Sequence, residues 1–492
     1  MILAASVLTR REVLAGSLAS LAACRFGTRT KLPQITHGVQ SGDVATGRAN
    51  VWARCDEPAR MLIEWDTTPA FAAPRRVQGP VVNPDGDLAA TVALDGLPDA
   101  QTIVYRVRFE REAARGASAW ATGRFATPRA DRFRVAWTGD TCGQGFGRNP
   151  EWGGLRGFAA LRATEPQLFI NSGDLFYADN PIVPEKKLPD GRIWRNISNE
   201  RVARVAEELD DFRARLAYNF DDEHLRTFAA EVPVIAQWDD HETHNNWWPG
   251  QQLADDRYLH DHDASRLAAR SLRAIFEWYP ITRGPVQRVL HYGPLLDVVV
   301  VDLRSFRTPN DANRGNTGAM FGAAQAQWLV DTLAASRARW KIVAIDQPFT
   351  CVIDDGPTAQ EGFGNGDGGP PLGRERELAA VFEQLHARQV KNVIWLTADV
   401  HFAAAHRCAK LDGAWQFIAG PIHAGSFTTD LDATFGPEPV FEWRAPPHSP
   451  PLGPWDGLQN FGFVDVAPDA LVVALVGIDN LVRYRVELPY AA

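Results

Sequence analysis

Four short apolar segments of this chain each end in side chains that can bind a metal ion. Residues 133–137 run into Thr-Gly-Asp-Thr-Cys, 168–170 into Asn-Ser-Gly-Asp-Leu-Phe-Tyr, 232–236 into Gln-Trp-Asp-Asp-His-Glu, and 392–397 into Ala-Asp-Val-His. Each segment has the length and composition of a buried strand. Open α/β sheets build their sites at the carboxyl ends of such strands. The spacing therefore predicts an α/β fold with one site assembled from four strand ends.

The candidate metal ligands combine soft and hard donors. They are Asp140, Cys142, Asp174, Tyr177, Asp240, Asp399 and His401. A single Gly-Asp after a strand is usually only a turn, so the prediction depends on the whole set and its order. A thiolate, a phenolate, a carboxylate and an imidazole together suit ferric iron better than magnesium, with zinc as an alternative. The remaining carboxylates suit calcium or manganese.

Two metals in one site would act on a phosphoester. Asp174 is the expected bridge, because a carboxylate offers two oxygens. A pair of metals lowers the pKa of a shared water and holds both ends of an in-line displacement at phosphorus. His241 is the candidate catalytic residue, which would bind a phosphoryl oxygen or protonate the leaving alkoxide.

Two further residues are candidates for substrate binding. Asn245 would contact metal or substrate, and a turn asparagine before two tryptophans is the competing interpretation. Arg304 follows another predicted strand and could hold a phosphate oxygen. An ion pair with Asp302 or a neighbouring acid explains Arg304 equally simply.

The motifs resemble those of a known superfamily. Asp-x-Cys, Gly-Asp-x-x-Tyr, Asp-Asp-His-Glu and Asp-Val-His, in this order, resemble the calcineurin-like metallophosphoesterases, and Gly-Asp-x-x-Tyr is shared with purple acid phosphatases. Trp-Asp-Asp-His-Glu, the following Asn-Asn-Trp, and Ala-Asp-Val-His-Phe are similar to the alkaline phosphatase D family. The resemblance implies a four-layer αββα sandwich preceded by a small fibronectin-like β-sandwich. It also implies Fe³⁺ with Ca²⁺, and hydrolysis of phosphomonoesters and phosphodiesters.

The chain departs from the superfamily at four positions. Asp240 precedes His241 where relatives carry asparagine, and Asp399 stands where they carry the first histidine of Gly-His-x-His. Asp346 follows a predicted strand where they carry another histidine. The last two changes put oxygen in place of nitrogen, which favours calcium over zinc at that metal. Cys142 stands where many relatives carry histidine.

The pattern of the chain changes near residue 130. Residues 34–128 alternate polar and apolar positions between turn-rich segments, which is typical of a β-sandwich. Residues 131–492, the predicted catalytic domain, alternate strands with helical segments, which we place at 155–164, 199–210, near 211–216 and at 323–336. Residues 354–373 are rich in glycine and proline and predict a mobile loop or lid.

Residues 1–33 resemble a twin-arginine signal peptide. Arg10 and Arg11 precede an apolar stretch at 13–23, and Cys24 closes a segment similar to a lipoprotein cleavage site. These features predict recognition by the twin-arginine translocation machinery and a periplasmic or extracellular enzyme, with Cys24 as the site of a lipid anchor. An ordinary amphipathic helix is the alternative.

The net charge of the chain limits the kinds of molecule that it is expected to bind. The formal net charge is −9, and we see no basic stripe that would neutralise phosphates, so nucleic acid is not an expected partner. The expected partner is a small phosphoester or a phospholipid. Two alternatives remain: a phospholipase D-like phosphodiesterase acting on phospholipids, and a non-catalytic metal-binding lipoprotein. The five cysteines are too few for a disulfide scaffold.

Overall fold

The computed structural model describes residues 31–112, 116–447, 449–450 and 452–491. The twin-arginine motif and Cys24 lie outside the described residues. Within them, no helix combines the length and the apolar character that a bilayer crossing demands.

Strands dominate the described chain, with six α-helices between them. The strands are β1 Ile35–Ala45, β2 Arg48–Cys55, β3 Arg60–Asp66, β4 Arg75–Val81, β5 Ala89–Asp95, β6 Thr102–Glu110, β7 Ala121–Ala126, β8 Phe133–Thr138, β9 Leu168–Asn171, β10 Glu185–Lys187, β11 Ile193–Arg195, β12 Val234–Ala236, β13 Arg288–Tyr292, β14 Leu296–Val300, β15 Trp340–Ala344, β16 Val393–Thr397, β17 Ala403–Cys408, β18 Ala414–Ile418, β19 Pro437–Trp443, β20 Asn460–Val466, β21 Ala470–Gly477 and β22 Val482–Pro489. The helices are α1 Arg156–Arg162, α2 Leu209–Phe220, α3 Glu223–Glu231, α4 Ala264–Trp278, α5 Ala323–Ala335 and α6 Arg374–Ala387.

Two large mixed sheets face each other and form the centre of the molecule. One has nine strands in the order β22-β21-β20-β8-β9-β12-β1-β2-β5, and the other has seven in the order β13-β14-β15-β16-β18-β17-β19. A core cluster fills the space between them, with Val135 and Ile170 from the first sheet against Ile342 and Leu396 from the second. Side chains from the two inner faces thus make one continuous core.

Helices cover the outer faces of both sheets. Helices α1 to α4 pack on the nine-stranded sheet, where Phe158, Phe212 and Ile275 belong to one buried cluster. Helices α5 and α6 pack on the seven-stranded sheet through residues such as Leu329 and Leu378. The predicted αββα sandwich with an amino-terminal β domain is therefore confirmed.

The amino-terminal strands are joined to the central sheet by hydrogen bonds. A separate four-stranded sheet, β4-β3-β6-β7, packs against β1, β2 and β5 around residues such as Val51, Ile63 and Val107. Strand β1 also pairs in parallel with β12, with Gly42 opposite Val234. The nine-stranded sheet therefore runs across the predicted boundary at 128–131.

One predicted helix is wrong. Residues 200–203 form a turn where a helix was expected from 199 to 210, and α2 begins only at Leu209. The Asp211 carboxylate accepts hydrogen bonds from the amides of Glu207 and Glu208 and pairs with Arg201 and Arg204. These bonds fix a helix start at this point, because they satisfy amides that otherwise lack partners. The helices expected at 155–164 and 323–336 correspond to α1 and α5.

Candidate metal centre

The carboxyl ends of four strands converge at one edge of the two sheets. Strands β8, β9 and β12 are parallel neighbours in the nine-stranded sheet, and β16 belongs to the facing sheet. The Trp137 indole at the end of β8 donates a hydrogen bond to the backbone carbonyl of Thr397 at the end of β16. The segments after these strands therefore open into a common space, as the sequence predicts.

The backbone turns sharply at the predicted ligands. A left-handed φ between 50° and 67° occurs at Asp140, Cys142, Asp174, Asp399 and His401. Non-glycine residues adopt this conformation at a cost of about 1 kcal/mol or more, and such residues concentrate at functional sites. Gly173 has φ 91°, and a Cβ on it would lie 2.5 Å from the Cβ of Asp239. Glycine is required there for the turn after β9 to approach the turn after β12.

In the described parts of the chain, three groups of side chains could each hold a cation. They are Asp140, Asp174 and His401; Asp174, Asp240 and His241; and Asp239, Asp240 and Asp399. Within each group the ligand atoms lie within 4.8 Å of one another. Asp174 belongs to the first two groups and Asp240 to the last two, so the groups form one continuous cluster.

His401 is fixed with one ring nitrogen toward this cluster. Its Nδ1–H donates to the backbone carbonyl of Gly425 at 2.5 Å. Nε2 then lies 3.0 Å from the Tyr177 hydroxyl and 3.2 Å from Oδ1 of Asp140. A ring held by a backbone carbonyl presents its free nitrogen as a metal ligand. His401, Tyr177 and Asp140 are therefore within reach of one ion.

His241 is oriented by a carboxylate that the sequence analysis did not identify. Its Nδ1–H donates to Oδ1 of Asp179 at 2.7 Å, and Oδ2 of Asp179 accepts the amide of Asn245 at 3.0 Å. Burial opposes ionisation of Asp179, but His241 and the hydrogen bonds hold the pKa of that carboxyl below its usual range. Because Nδ1 is engaged by Asp179, Nε2 is the ring nitrogen left for the group that His241 forms with Asp174 and Asp240.

The buried carboxylates of the cluster differ in the direction of their pKa shifts. Burial raises the pKa values of Asp174, Asp239 and Asp399, and neighbouring carboxylates raise them further. Burial also opposes ionisation of Asp240, but His241 and Arg304 hold its pKa at about 2. Like charges at such short range need a cation or a proton between them.

A cleft of about 540 Å³ opens onto the cluster. Its lining includes His241, Asn245, Asp399 and His401, together with Phe427. Asn245 is exposed, and its backbone amide is the group that binds Asp179. The cleft gives a substrate access to the clustered carboxylates and to His241.

Comparison with protein families identifies the class of enzyme to which this site belongs. Residues 135–473 match the model of the PhoD-like phosphatase family, and residues 20–129 match that of the PhoD-like phosphatase amino-terminal domain. The chain belongs to the PhoD-like phosphatase family. It is therefore a phosphoric ester hydrolase, and its clustered carboxylates and histidines indicate a metal-dependent one.

Known proteins agree with this assignment. Alkaline phosphatase D of Bacillus subtilis (strain 168) is 25% identical over 436 residues, which cover 81% of this chain and 71% of the relative. A solved structure of PhoD is similar with a TM-score of 0.69 at 17% identity, covering 92% of this chain and 88% of the other. Purple acid phosphatase PPD1 from yellow lupin (Lupinus luteus) seeds has a TM-score of 0.56 at 12% identity, with 93% and 74% covered. The two structural similarities concern the fold.

The residues of this PhoD-like phosphatase fit the metals that such a hydrolase implies. Both carboxylate oxygens of Asp140 and of Asp346, and Oδ2 of Asp239, are buried and accept no hydrogen bond from the described parts of the chain. Their nearest basic groups are His401 Nε2, 3.2 Å from Asp140, and Arg304 Nε, 3.6 Å from Asp346. Unpaired buried carboxylate oxygens are costly unless a cation binds them. Burial and the charges of Asp174 and Asp140 raise the pKa of Tyr177, which only a nearby cation would reverse.

The structure does not bring Cys142 into the three groups. The side chain is buried in the hydrophobic cluster that contains Phe158 and Leu216 beneath α1 and α2. Burial raises the pKa of the thiol, although Arg148 acts in the opposite direction. A thiol in that environment packs as a small apolar group.

Arg304 lies behind the cluster and away from the cleft. Its side chain is fully buried. The guanidinium Nε donates to Oδ1 of Asp239 at 2.8 Å, and Nη1 donates to Glu361. A guanidinium engaged in this way compensates buried carboxylates.

The sequence analysis did not identify two positioning residues, Glu242 and Asp179. Glu242 accepts the amides of Leu175 at 2.6 Å and Asp239 at 2.9 Å, which ties the turn after β9 to the turn after β12. Glu242 belongs to the Asp-Asp-His-Glu motif, but the motif does not indicate that its side chain binds these two amides. Asp179 is two residues after Tyr177, and its role depends on a contact with His241 across 62 positions of sequence.

Proposed function

We propose that this chain is an exported phosphatase with a binuclear centre of Fe³⁺ and Ca²⁺ that hydrolyses phosphomonoesters and phosphodiesters. The observation that carries the proposal is that Asp174 and Asp240 join three groups of candidate ligands into one cluster, with His241 a member of the middle group. When bound, two such cations supply an activated water and neutralise charge that develops at phosphorus.

The assignment of metals follows from the donors on either side of Asp174. One side offers the Tyr177 phenol and the His401 imidazole, which suit ferric iron. The other offers the carboxylates of Asp239, Asp240 and Asp399, which suit calcium. Zinc or manganese would be the alternatives at either position.

His241 is the proposed general acid. Burial disfavours its charged form, but Asp179, Asp240 and Asp174 together raise its pKa well above the usual value. Asp179 holds the ring by Nδ1, so the proton that can move is on Nε2. His241 is one of the residues that line the cleft. Donation of that proton to the leaving alkoxide would speed departure of the alcohol.

Elemental analysis of the unchelated protein, together with its visible spectrum, tests the metal assignment. We expect iron with calcium and a broad charge-transfer band from the Tyr177 phenolate. Zinc or manganese without the band would keep the phosphatase assignment and exclude the iron site. A protein without bound metal that stays inactive after metals are added back would contradict the proposal.

Substrate preference is tested on one preparation with three compounds. We expect hydrolysis of 4-nitrophenyl phosphate and of bis(4-nitrophenyl) phosphate, both abolished by a chelator. Release of choline from phosphatidylcholine vesicles would instead favour the phospholipase D-like activity. Inactivity on both nitrophenyl esters with active choline release would exclude the proposed substrate class.

Export rests on the sequence of residues 1–33. We expect the protein in the periplasmic or extracellular fraction, and retention in the cytoplasm when Arg10 and Arg11 are both changed to lysine. Cys24→Ala tests the anchor, since a lipidated protein would move from the membrane fraction to the soluble exported fraction. Unchanged fractionation of the double lysine variant would contradict twin-arginine export.

A further inference from the structure

Arg257 lies on the wall of the cleft that His241 also lines. Among the described residues that line the cleft, it is the only lysine or arginine, and six of the others are acidic. About half of its side chain is exposed. Arg257 therefore places a permanent positive charge on one wall of a cleft whose other charged residues are mainly acidic.

The guanidinium is held in a fixed position. Its Nε donates to both carboxylate oxygens of Asp255 at 3.0 Å, and Nη2 donates to Oδ2 at 2.6 Å. Its Nη1 donates to the backbone carbonyl of Asp179 at 2.9 Å. Asp179 is also the residue that orients His241, so Arg257 is attached to the same segment as the proposed general acid.

Two donors of this guanidinium remain unused. Arginine has five N–H groups. Three of them are engaged by Asp255 and Asp179, and the other two have no partner among the described residues. A rigid guanidinium with free N–H groups binds carboxylates and phosphates through charge-assisted hydrogen bonds. The two remaining N–H groups are therefore suited to an anionic part of the substrate.

We propose that Arg257 is a specificity-determining residue that binds an anionic group on the leaving alcohol of the substrate. This inference rests on the proposed function, because it takes the leaving group to depart on the side of His241. The preferred substrates would then be phosphoesters whose alcohol carries a carboxylate or a second phosphate. Esters of uncharged alcohols would be poorer substrates.

Three aryl phosphates test the inference. They are phenyl phosphate, 3-carboxyphenyl phosphate and its neutral analogue 3-carbamoylphenyl phosphate. For Arg257→Gln in the metal-loaded protein, we expect kcat/KM on the carboxylate substrate to fall about 30-fold, mainly through KM, since a charge-assisted pair is lost. On the two uncharged leaving groups the decrease should be several times smaller.

Arg283→Gln is the matched control. Arg283 is exposed and is not among the residues that line the cleft, so this variant loses the same charge away from the site. An equal loss on all three substrates in Arg257→Gln, or the same selective loss in Arg283→Gln, would overturn the inference. Failure of the wild-type protein to hydrolyse any of them would instead contradict the proposed function.

Discussion

Nδ1 of His241 and the carboxylate of Asp179 form a buried hydrogen bond of 2.7 Å. Burial opposes ionisation of Asp179, but His241 and its hydrogen bonds lower the pKa of that carboxyl, so Asp179 accepts the bond and leaves the mobile proton of the imidazole on Nε2. The pair therefore fixes both the tautomer and the direction of His241, and the first prediction follows from it.

Asp179→Asn should lower kcat by about 10²- to 10⁴-fold with a smaller effect on KM, because an amide can donate to Nδ1 and stabilise the wrong tautomer. Steady-state kinetics on 4-nitrophenyl phosphate measures this. Asp190→Asn is the control, since Asp190 is exposed and pairs with the neighbouring Arg192. A kcat equal to that of the wild type would show that His241 needs no orienting carboxylate.

Asp174→Asn and His401→Gln should differ in metal content. Asp174 belongs to two ligand groups and His401 to one. We expect the Asp174 variant to lose both metals and the His401 variant to lose mainly iron, as measured by elemental analysis after gel filtration. Full occupancy of both metals in the Asp174 variant would contradict a shared bridging ligand.

Arg304→Met should destabilise the protein by about 3–5 kcal/mol, because Asp239 and Glu361 would be left without their buried counter-charge. Denaturant unfolding measures the loss. The control Arg388→Gln breaks an exposed pair with Asp331 and should cost only about 0.5 kcal/mol. A stable Arg304→Met protein with a raised KM would restore the substrate-binding role that the sequence suggested.

His423 should make stability depend on pH. Burial lowers the pKa of His423 to about 4, whereas an unfolded chain titrates near 6.5. Between these values the unfolded chain binds more protons, so the free energy of unfolding falls as pH decreases from 6.5 to 4. Above pH 6.5 the full contribution is present.

The pH effect of His423 is measured by comparison with His423→Gln. In chelator-treated proteins, the wild type should lose about 3 kcal/mol more than the variant between pH 7 and pH 4, as determined by denaturant unfolding at both pH values. Chelation removes any contribution from acid-induced loss of metal. Parallel pH dependence in the two proteins would contradict a buried neutral imidazole.

The sequence predicted the strand ends well because their signal is local. Asp140, Asp174, Asp240, Asp399 and His401 each follow an apolar segment, and these residues meet in the structure. Parallel strands bring their carboxyl ends to one edge, so position along the chain is enough to predict proximity.

Other parts of the site depend on contacts between distant segments. The partners of Arg304, namely Asp239 and Glu361, are 65 and 57 positions away, and no local pattern identifies them. Cys142 illustrates a second limit, because its distance from Asp140 in sequence does not determine which way its side chain points. Gly42 and Val234 are also far apart in the sequence, so the change of pattern near residue 130 does not predict that they pair.

The pairing of β1 with β12 also affects the tendency of the protein to aggregate. Strand β12 would be an open edge if β1 were absent, with its backbone donors and acceptors exposed to solvent. Exposed strand edges attract strands from other molecules. A chain shortened to begin after residue 128 would keep every candidate metal ligand and yet tend to self-associate. The amino-terminal strands thus protect the sheet that carries the site, a contribution to solubility that is separate from any part in the chemistry.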